Sequence, residues 1–229
     1  MQLKALTLVL LFSLVTGLRC TARDYTSLEE ALKNPSDVTS LNLSDKGLTA
    51  LSENIGKLVN LERLNVSGNK LTYLPKALYT LKKLRYLNVT SNKLTALSSS
   101  IGYLTNLEEL EIAFNSITAI PKEIGKLHKL NRLAAAKNPL KTLPVEMGQL
   151  LSLQIADFSY NQFTAIPAAL SKVVSLRTLD LSFNKTLAGF SKDIKMMEGL
   201  RLLNLRSTKI SNSQVEELTW LIPDCQIVL

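Results

Sequence analysis

The chain has 229 residues, of which 46% are hydrophobic but only 6% aromatic, so a substantial core must be built from aliphatic side chains. The formal net charge is +8, yet the lysines and arginines are scattered and do not alternate with aromatic residues. This distribution argues against a nucleic-acid-binding groove and indicates a basic, solvated exterior.

Residues 1–22 have the features of an export signal. A basic residue precedes an apolar run over residues 6–15, which is too short to cross a bilayer as a helix but suits a signal peptide. The end of this leader has two readings. The segment before Cys20 resembles a bacterial lipoprotein signal that would lipidate Cys20, although Arg19 departs from the small residue usual there. Ordinary cleavage after Ala22 is the alternative.

Residues 23–37 are predicted to form an N-terminal capping helix. Ser27 and Glu30 fit a capping box, in which the serine side chain binds the third helical backbone amide. The Asn34-Pro35 step ends the helix. Such a helix would cover the open end of the periodic array that follows.

Eight similar segments occupy residues 38–210. They begin 23 residues apart, except that the last step is 24, at Val38, Leu61, Leu84, Leu107, Leu130, Leu153, Leu176 and Leu200. Each segment carries L-x-x-L-x-L-x-x-N-x-L-x-x-L or a close variant. Residues 120–127, IPKEIGKL, show most clearly the second half, L-P-x-x-I-G-x-L.

This pattern resembles the 23-residue class of leucine-rich repeat proteins, and the resemblance covers residues 38–229. It implies an α/β fold: a leucine-rich-repeat solenoid, curved into a horseshoe arc. A parallel sheet would form the concave face, and short helical or extended segments the convex face. The leader and capping helix add a similarity to secreted and lipoprotein members from bacteria.

Alternation within each repeat predicts which side chains are buried. Leu110 and Ile112 should point inward, and Glu109 and Glu111 outward, as in a strand with one buried face. One asparagine per repeat follows the strand and should satisfy backbone groups of its own and the adjacent turn, giving a ladder: Asn69, Asn92, Asn115, Asn138, Asn161 and Asn184. The small inward residues Ala135 and Ala156 are expected to accommodate the Phe158 ring.

Residues 211–229 are predicted to form a C-terminal cap. We expect a helix with a capping box over residues 213–216, followed by Trp220 and a final edge strand that together cover the last repeat. Cys225 should be a buried apolar residue. A disulfide to Cys20 is excluded if the two lie at opposite ends of a stack of strands about 4.8 Å apart.

The residues that catalysis would need are scarce. The single histidine, His128, is expected on the surface, and one histidine with two cysteines cannot build a zinc site or a Cys/His nucleophile. We therefore expect a protein that is not an enzyme, with no cofactor and no metal. The sequons at Asn42, Asn65 and Asn88 follow from the repeat, but in a eukaryotic secretory pathway they could carry glycans.

The outward strand positions change character along the array. Repeats one to three carry small polar residues, whereas from repeat three onward larger groups appear around a shallow floor at Ala134 and Ala136. Aromatic residues and arginine around a low surface are typical of interaction hot spots. The predicted binding residues on the concave face are Tyr86, Glu109, Glu111, Phe114, Arg132, Lys137, Ile155, Asp157, Tyr160 and Phe183.

These features favour a protein–protein interaction scaffold that binds a protein or peptide partner on the concave face. No nucleic-acid partner is expected, and contact with a membrane only through a lipid on Cys20. Localisation in the cell envelope or secretion follows from the leader. Recognition of polysaccharide by the envelope protein, or intracellular signalling if residues 1–22 are not a signal peptide, are the alternatives.

Overall fold

The computed structural model describes residues 24–229. It contains one open sheet of ten parallel strands, which confirms the predicted solenoid class. The strands pair in sequence order, so each is flanked by the strands of the adjacent repeats. They are β1 (Asp24–Tyr25), β2 (Ser40–Asn42), β3 (Arg63–Asn65), β4 (Tyr86–Asn88), β5 (Glu109–Glu111), β6 (Arg132–Ala134), β7 (Ile155–Asp157), β8 (Thr178–Asp180), β9 (Leu202–Asn204) and β10 (Gln226–Val228).

The return segments of repeats one to seven each contain a short 3-10 helix. The seven helices of this kind are Glu53–Lys57, Lys76–Thr80, Ser99–Tyr103, Lys122–Lys126, Val145–Gln149, Ala168–Lys172 and Lys192–Met196. Pro121 precedes one of them with a φ of −69°, which its ring imposes. Where serine takes this place, as at Ser98, its side chain accepts the backbone N–H two residues on.

Glycine in the return segment lets consecutive 3-10 helices pack closely. A Cβ at Gly125 would lie 2.6 Å from the carbonyl oxygen of Glu146 in the next helix. The glycine of the I-G-x-L motif is therefore explained by packing between repeats.

The core lies between the sheet and the row of 3-10 helices. The inward side chains of repeat four are buried as predicted: Leu107, Leu110, Ile112, Ile117, Ile120, Ile124 and Leu127. Burial of each such side chain stabilises the fold by about 1.5–3 kcal/mol. The Phe158 ring is fully buried, and it meets Phe163 edge to face with ring centroids 6.0 Å apart.

The predicted asparagine ladder is present. In Asn138, Oδ1 accepts the N–H of Ile117 at 3.0 Å, while Nδ2 donates to the carbonyls of Ile112, Ala135 and Ala136. Each side chain thereby joins its own turn to the preceding one. No buried side-chain nitrogen or oxygen among the described residues lacks a hydrogen-bond partner.

The N-terminal end contains more than the predicted helix. Strand β1 pairs with β2, with Asp24 opposite Ser40, and precedes the helix α1 (Leu28–Ala31). The Ser27 side chain accepts the Glu30 N–H, as expected of the N-cap residue. A 3-10 turn over Pro35–Asp37 then leads into β2.

Two details predicted for the C-terminal end are wrong. Helix α2 (Asn212–Leu221) is capped by Ser211 with Gln214 in a complete capping box, not over residues 213–216. Trp220 is 79% exposed and does not cover the last repeat. Leu218 and Ile222 are buried instead, because residues four apart share a helix face that residue 220 does not. The predicted edge strand is present as β10.

Candidate functional site on the outer face of the sheet

The register of the sheet aligns the predicted binding residues in rows that cross the repeats. Tyr86, Glu109, Arg132 and Ile155 occupy one row, and Glu111, Ala134 and Asp157 the next. A third row follows the strands and contains Phe114, Lys137, Tyr160 and Phe183 at equivalent positions of repeats four to seven. The ten predicted residues therefore lie on one face, over repeats three to seven.

Side chains of the two strand rows already contact one another. The Arg63 guanidinium lies 4.2 Å from the centroid of the Tyr86 ring. The Tyr86 hydroxyl donates to Glu111 at 3.4 Å, and Arg132 Nε lies 3.7 Å from a Glu111 oxygen. Burial, with the nearby Glu111 carboxylate, raises the pKa of Tyr86, so the hydroxyl stays protonated as a donor.

Sequence reasoning missed Arg63, which belongs to this network. Its repeat position is the one that Tyr86 occupies 23 residues later, and this spacing is the signal that could have found it.

Two carboxylates face each other on neighbouring strands, Asp157 on β7 and Asp180 on β8. Each accepts the backbone N–H two residues on, at 2.9 and 2.8 Å. Burial raises the pKa of Asp157, and the Asp180 carboxylate adds to this shift. Asp180 also accepts from the Asn204 amide at 2.9 Å. Sequence reasoning missed Asp180, although it follows Asp157 by one repeat.

The third row has a left-handed backbone. The φ angles of Phe114, Lys137, Tyr160 and Phe183 are +54°, +55°, +53° and +57°, and Gly68 holds the equivalent position with +67°. Such angles are uncommon for any residue except glycine and are a genuine outlier for bulky side chains. The remaining repeats also have a positive φ here, at Asp45, Ser91 and Ser207. The conformation therefore belongs to the repeat, and repeats four to seven differ in placing large side chains there.

These side chains also interact along the row. Lys137 Nζ lies 4.7 Å from the centroid of the Phe114 ring. The Tyr160 and Phe183 rings stack with centroids 4.2 Å apart and planes 7° from parallel. Phe114 and Tyr160 are each 49% exposed, Lys137 is exposed and Phe183 is partly buried, so the row forms a half-exposed ridge.

Beside this ridge runs a groove of about 820 Å³, which we term the edge groove. It crosses repeats four to seven where the chain leaves the strands. It is lined by Asn115, Lys137, Asn138, Pro139, Lys141, Thr142, Tyr160, Asn161, Gln162, Thr164, Phe183, Lys185 and Thr186. Lys141 and Lys185 were missed in the sequence, because their place beside the ridge depends on how the turns stack.

The described residues offer little for other chemistry. Within residues 24–229, no three His, Cys, Asp or Glu side chains cluster as a metal site would require. His128 is exposed, as predicted, with Nδ1 3.0 Å from the Gln149 carbonyl oxygen. Cys225 is a buried free thiol, and burial raises its pKa to about 11. Cys20 lies outside the described residues.

The same part of the chain contains no helix that is both long enough and apolar enough to cross a membrane.

Comparisons with known proteins agree with this architecture. A family model described as a leucine-rich repeat region matches residues 18–116, and a second, described as a leucine-rich repeat, matches residues 106–127. A leucine-rich repeat protein of Leptospira interrogans is 33% identical over 90% of this chain, with a TM-score of 0.75. The chain is therefore a leucine-rich repeat protein.

Other solved structures share the fold. The plant peptide hormone receptor RGFR1, solved in complex with RGF2, is 26% identical over 90% of this chain, with a TM-score of 0.70. Internalin C2 of Listeria monocytogenes is 22% identical over 86% of this chain, also with a TM-score of 0.70. The match covers 83% of the internalin chain. A comparison with curated proteins finds no match.

This chain spans 58% of the length of the Leptospira protein and 33% of the length of RGFR1.

Proposed function

We propose that this leucine-rich repeat protein is a non-enzymatic interaction scaffold, which binds a protein or peptide on the concave face of repeats three to seven. The observation that carries the proposal is the half-exposed ridge of Phe114, Lys137, Tyr160 and Phe183, which places large side chains at a repeat position with a left-handed backbone. A left-handed backbone costs roughly 1–2 kcal/mol at each residue with a side chain. Because every repeat has a positive φ at this position, the conformation itself belongs to the fold, and the placement of four large side chains there is what supports a functional role.

Exposure of the ridge supports the same conclusion. Phe114 and Tyr160 remain half exposed although they share one row with Phe183, and exposed apolar groups that cluster mark interaction sites. Aromatic rings lose little conformational entropy on binding and dominate interaction hot spots, together with arginine. Arg132 lies in the adjoining strand row and is partly buried by its neighbours.

The class of partner is supported by relatives. RGFR1 was solved in complex with RGF2 and is itself a peptide hormone receptor. Leucine-rich repeat folds commonly mediate protein or peptide binding. Binding of a peptide by this chain is the corresponding proposal.

Selection of a random dodecapeptide phage library on the immobilised protein tests this function. The variant Phe114→Ala/Tyr160→Ala should lose the selected peptides. The control variant Tyr73→Ala/Tyr103→Ala should keep them, because it removes two aromatic rings that are 59% exposed but lie outside the ridge. Thermal unfolding followed by circular dichroism would establish that both variants fold. Selected peptides that bind the folded ridge variant as well as wild type would refute the site.

We further propose that the chain is exported, with residues 1–22 as the signal peptide region, residues 23–37 as the N-terminal cap, residues 38–210 as the eight repeats and residues 211–229 as the C-terminal cap. Export is consistent with the relatives, which include a Listeria internalin and plant receptor ectodomains. Lipidation at Cys20 would make the protein a membrane-anchored lipoprotein of the cell envelope, and cleavage after Ala22 a secreted protein. Mass spectrometry of the mature N-terminus distinguishes them: a diacylglyceryl cysteine that Cys20→Ser abolishes supports the anchor, and an unmodified Arg23 terminus rejects it.

A further inference from the structure

We propose that the edge groove recognises an acidic segment of an extended peptide, whose carboxylates meet Lys137, Lys141 and Lys185. This inference rests on the proposed peptide-binding function and adds the chemical class of the ligand. It follows from the charge of the groove, from the hydrogen-bonding groups that remain free in it, and from its length.

The groove is positively charged and lacks internal neutralisation. Its thirteen lining residues include three lysines and no aspartate or glutamate. The salt bridges that the structure shows among residues 24–229 use other cations, namely Lys33, Arg85 and Arg132. A surface that gathers like charges without counter-charges attracts a ligand of opposite sign and speeds its association.

The charged groups in the groove are all donors, whereas Thr142, Gln162, Thr164 and Thr186 can both donate and accept. Lysine ammonium groups donate and cannot accept. The three lining asparagines belong to the ladder and are not free to bind a ligand. In Asn115, Asn138 and Asn161, Oδ1 accepts from a backbone N–H and Nδ2 donates to backbone carbonyls. Because the only charged groups in the groove are lysines, an anionic ligand is favoured over a neutral sugar. A carboxylate, which only accepts, matches the groove.

The backbone N–H groups of the ridge residues in the groove are not available to hold a phosphate. Phosphate sites usually use free backbone N–H groups or the paired donors of arginine. Here the N–H groups of Lys137, Tyr160 and Phe183 are donated to the carbonyls of Ser159, Ser182 and Arg206 at 2.8–2.9 Å. The lining contains no arginine. Lysine point charges beside an aromatic stack therefore favour a carboxylate on a chain that also carries apolar groups.

Length and shape fit an extended segment. Lys137 and Lys185 are two repeats apart, and two strand spacings of about 4.8 Å give roughly 10 Å, the length of about three extended residues. Between them lies the Tyr160–Phe183 stack. A peptide with acidic residues at both ends of such a stretch and an apolar residue between them would engage the lysines and the rings together.

The test compares two lysine variants with equal loss of charge. Peptides selected from the random dodecapeptide library are synthesised, and their affinity is measured by fluorescence polarisation for full-length variants. Lys137→Gln/Lys141→Gln/Lys185→Gln removes the groove lysines. Lys57→Gln/Lys122→Gln/Lys195→Gln removes three exposed lysines of the 3-10 helices and serves as the control.

We expect the selected peptides to be rich in Asp and Glu. Their affinity should fall about tenfold or more with the groove variant, and by less than about twofold with the control. Replacing the peptide's Asp and Glu by Asn and Gln should cause a similar loss. Raising the salt concentration from about 50 to about 300 mM should weaken wild-type binding, since screening acts on the exposed lysines.

Peptides without acidic residues, or equal binding to the groove variant and wild type, would overturn this inference. If those peptides still require Phe114 and Tyr160, the proposed function stands and only the acidic ligand is wrong. A library that yields no binding peptide refutes both. Binding of heparin that is lost in the groove variant, without any peptide, would also overturn the inference and identify an acidic polysaccharide as the ligand.

Discussion

Replacing Asn184 by alanine should destabilise the protein about twice as much as replacing Asn115, although the two side chains hold the same repeat position. The reason lies in how the ladder shares its acceptors. Asn115 accepts the Leu94 N–H and donates to three carbonyls. Each carbonyl has another donor: Asn92 for Val89, Asn138 for Ile112, and the Ser91 N–H for Ala113. Asn115→Ala thus leaves only the Leu94 N–H without a partner.

Asn184 stands at the end of the ladder, because Thr208 takes the asparagine position in the next repeat. Its Oδ1 accepts the Phe163 N–H at 3.1 Å, and its Nδ2 donates to the Leu181 carbonyl at 2.9 Å. No further asparagine follows to donate to Leu181. Asn184→Ala therefore orphans two buried backbone groups, the Phe163 N–H and the Leu181 carbonyl.

An orphaned buried donor or acceptor costs about 1–3 kcal/mol. We expect a loss of about 1–3 kcal/mol for Asn115→Ala and roughly twice that for Asn184→Ala. Urea denaturation followed by far-UV circular dichroism would measure both, with the slope of the transition checked for each variant. Asn54→Ala, at an exposed position, is the control and should change stability by less than about 0.5 kcal/mol.

A loss of stability for Asn184→Ala no larger than that for Asn115→Ala would show that neighbouring asparagines do not share acceptors in this way. An unchanged midpoint for both variants would reject the ladder itself as a source of stability. Equal, large losses would mean that each asparagine contributes through its own turn alone, whatever its neighbours donate.

Asp157→Asn should raise the free energy of unfolding at neutral pH by roughly 0.2–1 kcal/mol, because it removes a buried charge that faces Asp180. Because the pKa of Asp157 is raised in the folded state, the wild-type protein loses stability as the pH rises from the unfolded-state pKa through the folded-state pKa. Below the unfolded-state pKa, Asp157 is protonated in both states, so the stability gain of Asp157→Asn should vanish. A gain that persists at that pH contradicts the burial of a charge at Asp157. Cys225, whose pKa burial raises to about 11, should react with a disulfide reagent at least about a hundredfold more slowly in the folded protein than in urea, and equal rates would contradict its burial. Tyr160→Gly should change the unfolding free energy by less than about 1 kcal/mol, because relief of the left-handed backbone offsets the lost stack on Phe183; a loss above about 2 kcal/mol would show that the stack dominates.

The sequence by itself determined the repeat length, the side chains that point into the core and the asparagine ladder. Each repeat meets only its neighbours, so a residue type that recurs at one position meets its own kind in the adjacent repeat. The period-two alternation around Leu110 then assigns the buried face, and one asparagine per turn assigns the ladder. Each of these features is a local sequence pattern that recurs in every repeat, so it can be predicted without knowledge of side-chain conformation.

The arrangement of side chains on the outer face of the sheet could be predicted from the sequence only in part. The sequence placed Phe114, Tyr160 and Phe183 at one repeat position, but the left-handed backbone there was not recognised, although Gly68 at the same position was a signal. Stacking of Tyr160 on Phe183 depends on rotamers chosen between repeats, which no single repeat specifies.

Only the tertiary structure joined Lys141 and Lys185 to the ridge and made the edge groove. Their side chains belong to different repeats and approach one face because consecutive turns stack beside the strands. The same stacking decides that the Leu94 N–H has one possible partner while the Val89 carbonyl has two. The repeat fixes which residues face outward or inward, whereas the contacts between repeats decide which of them act together.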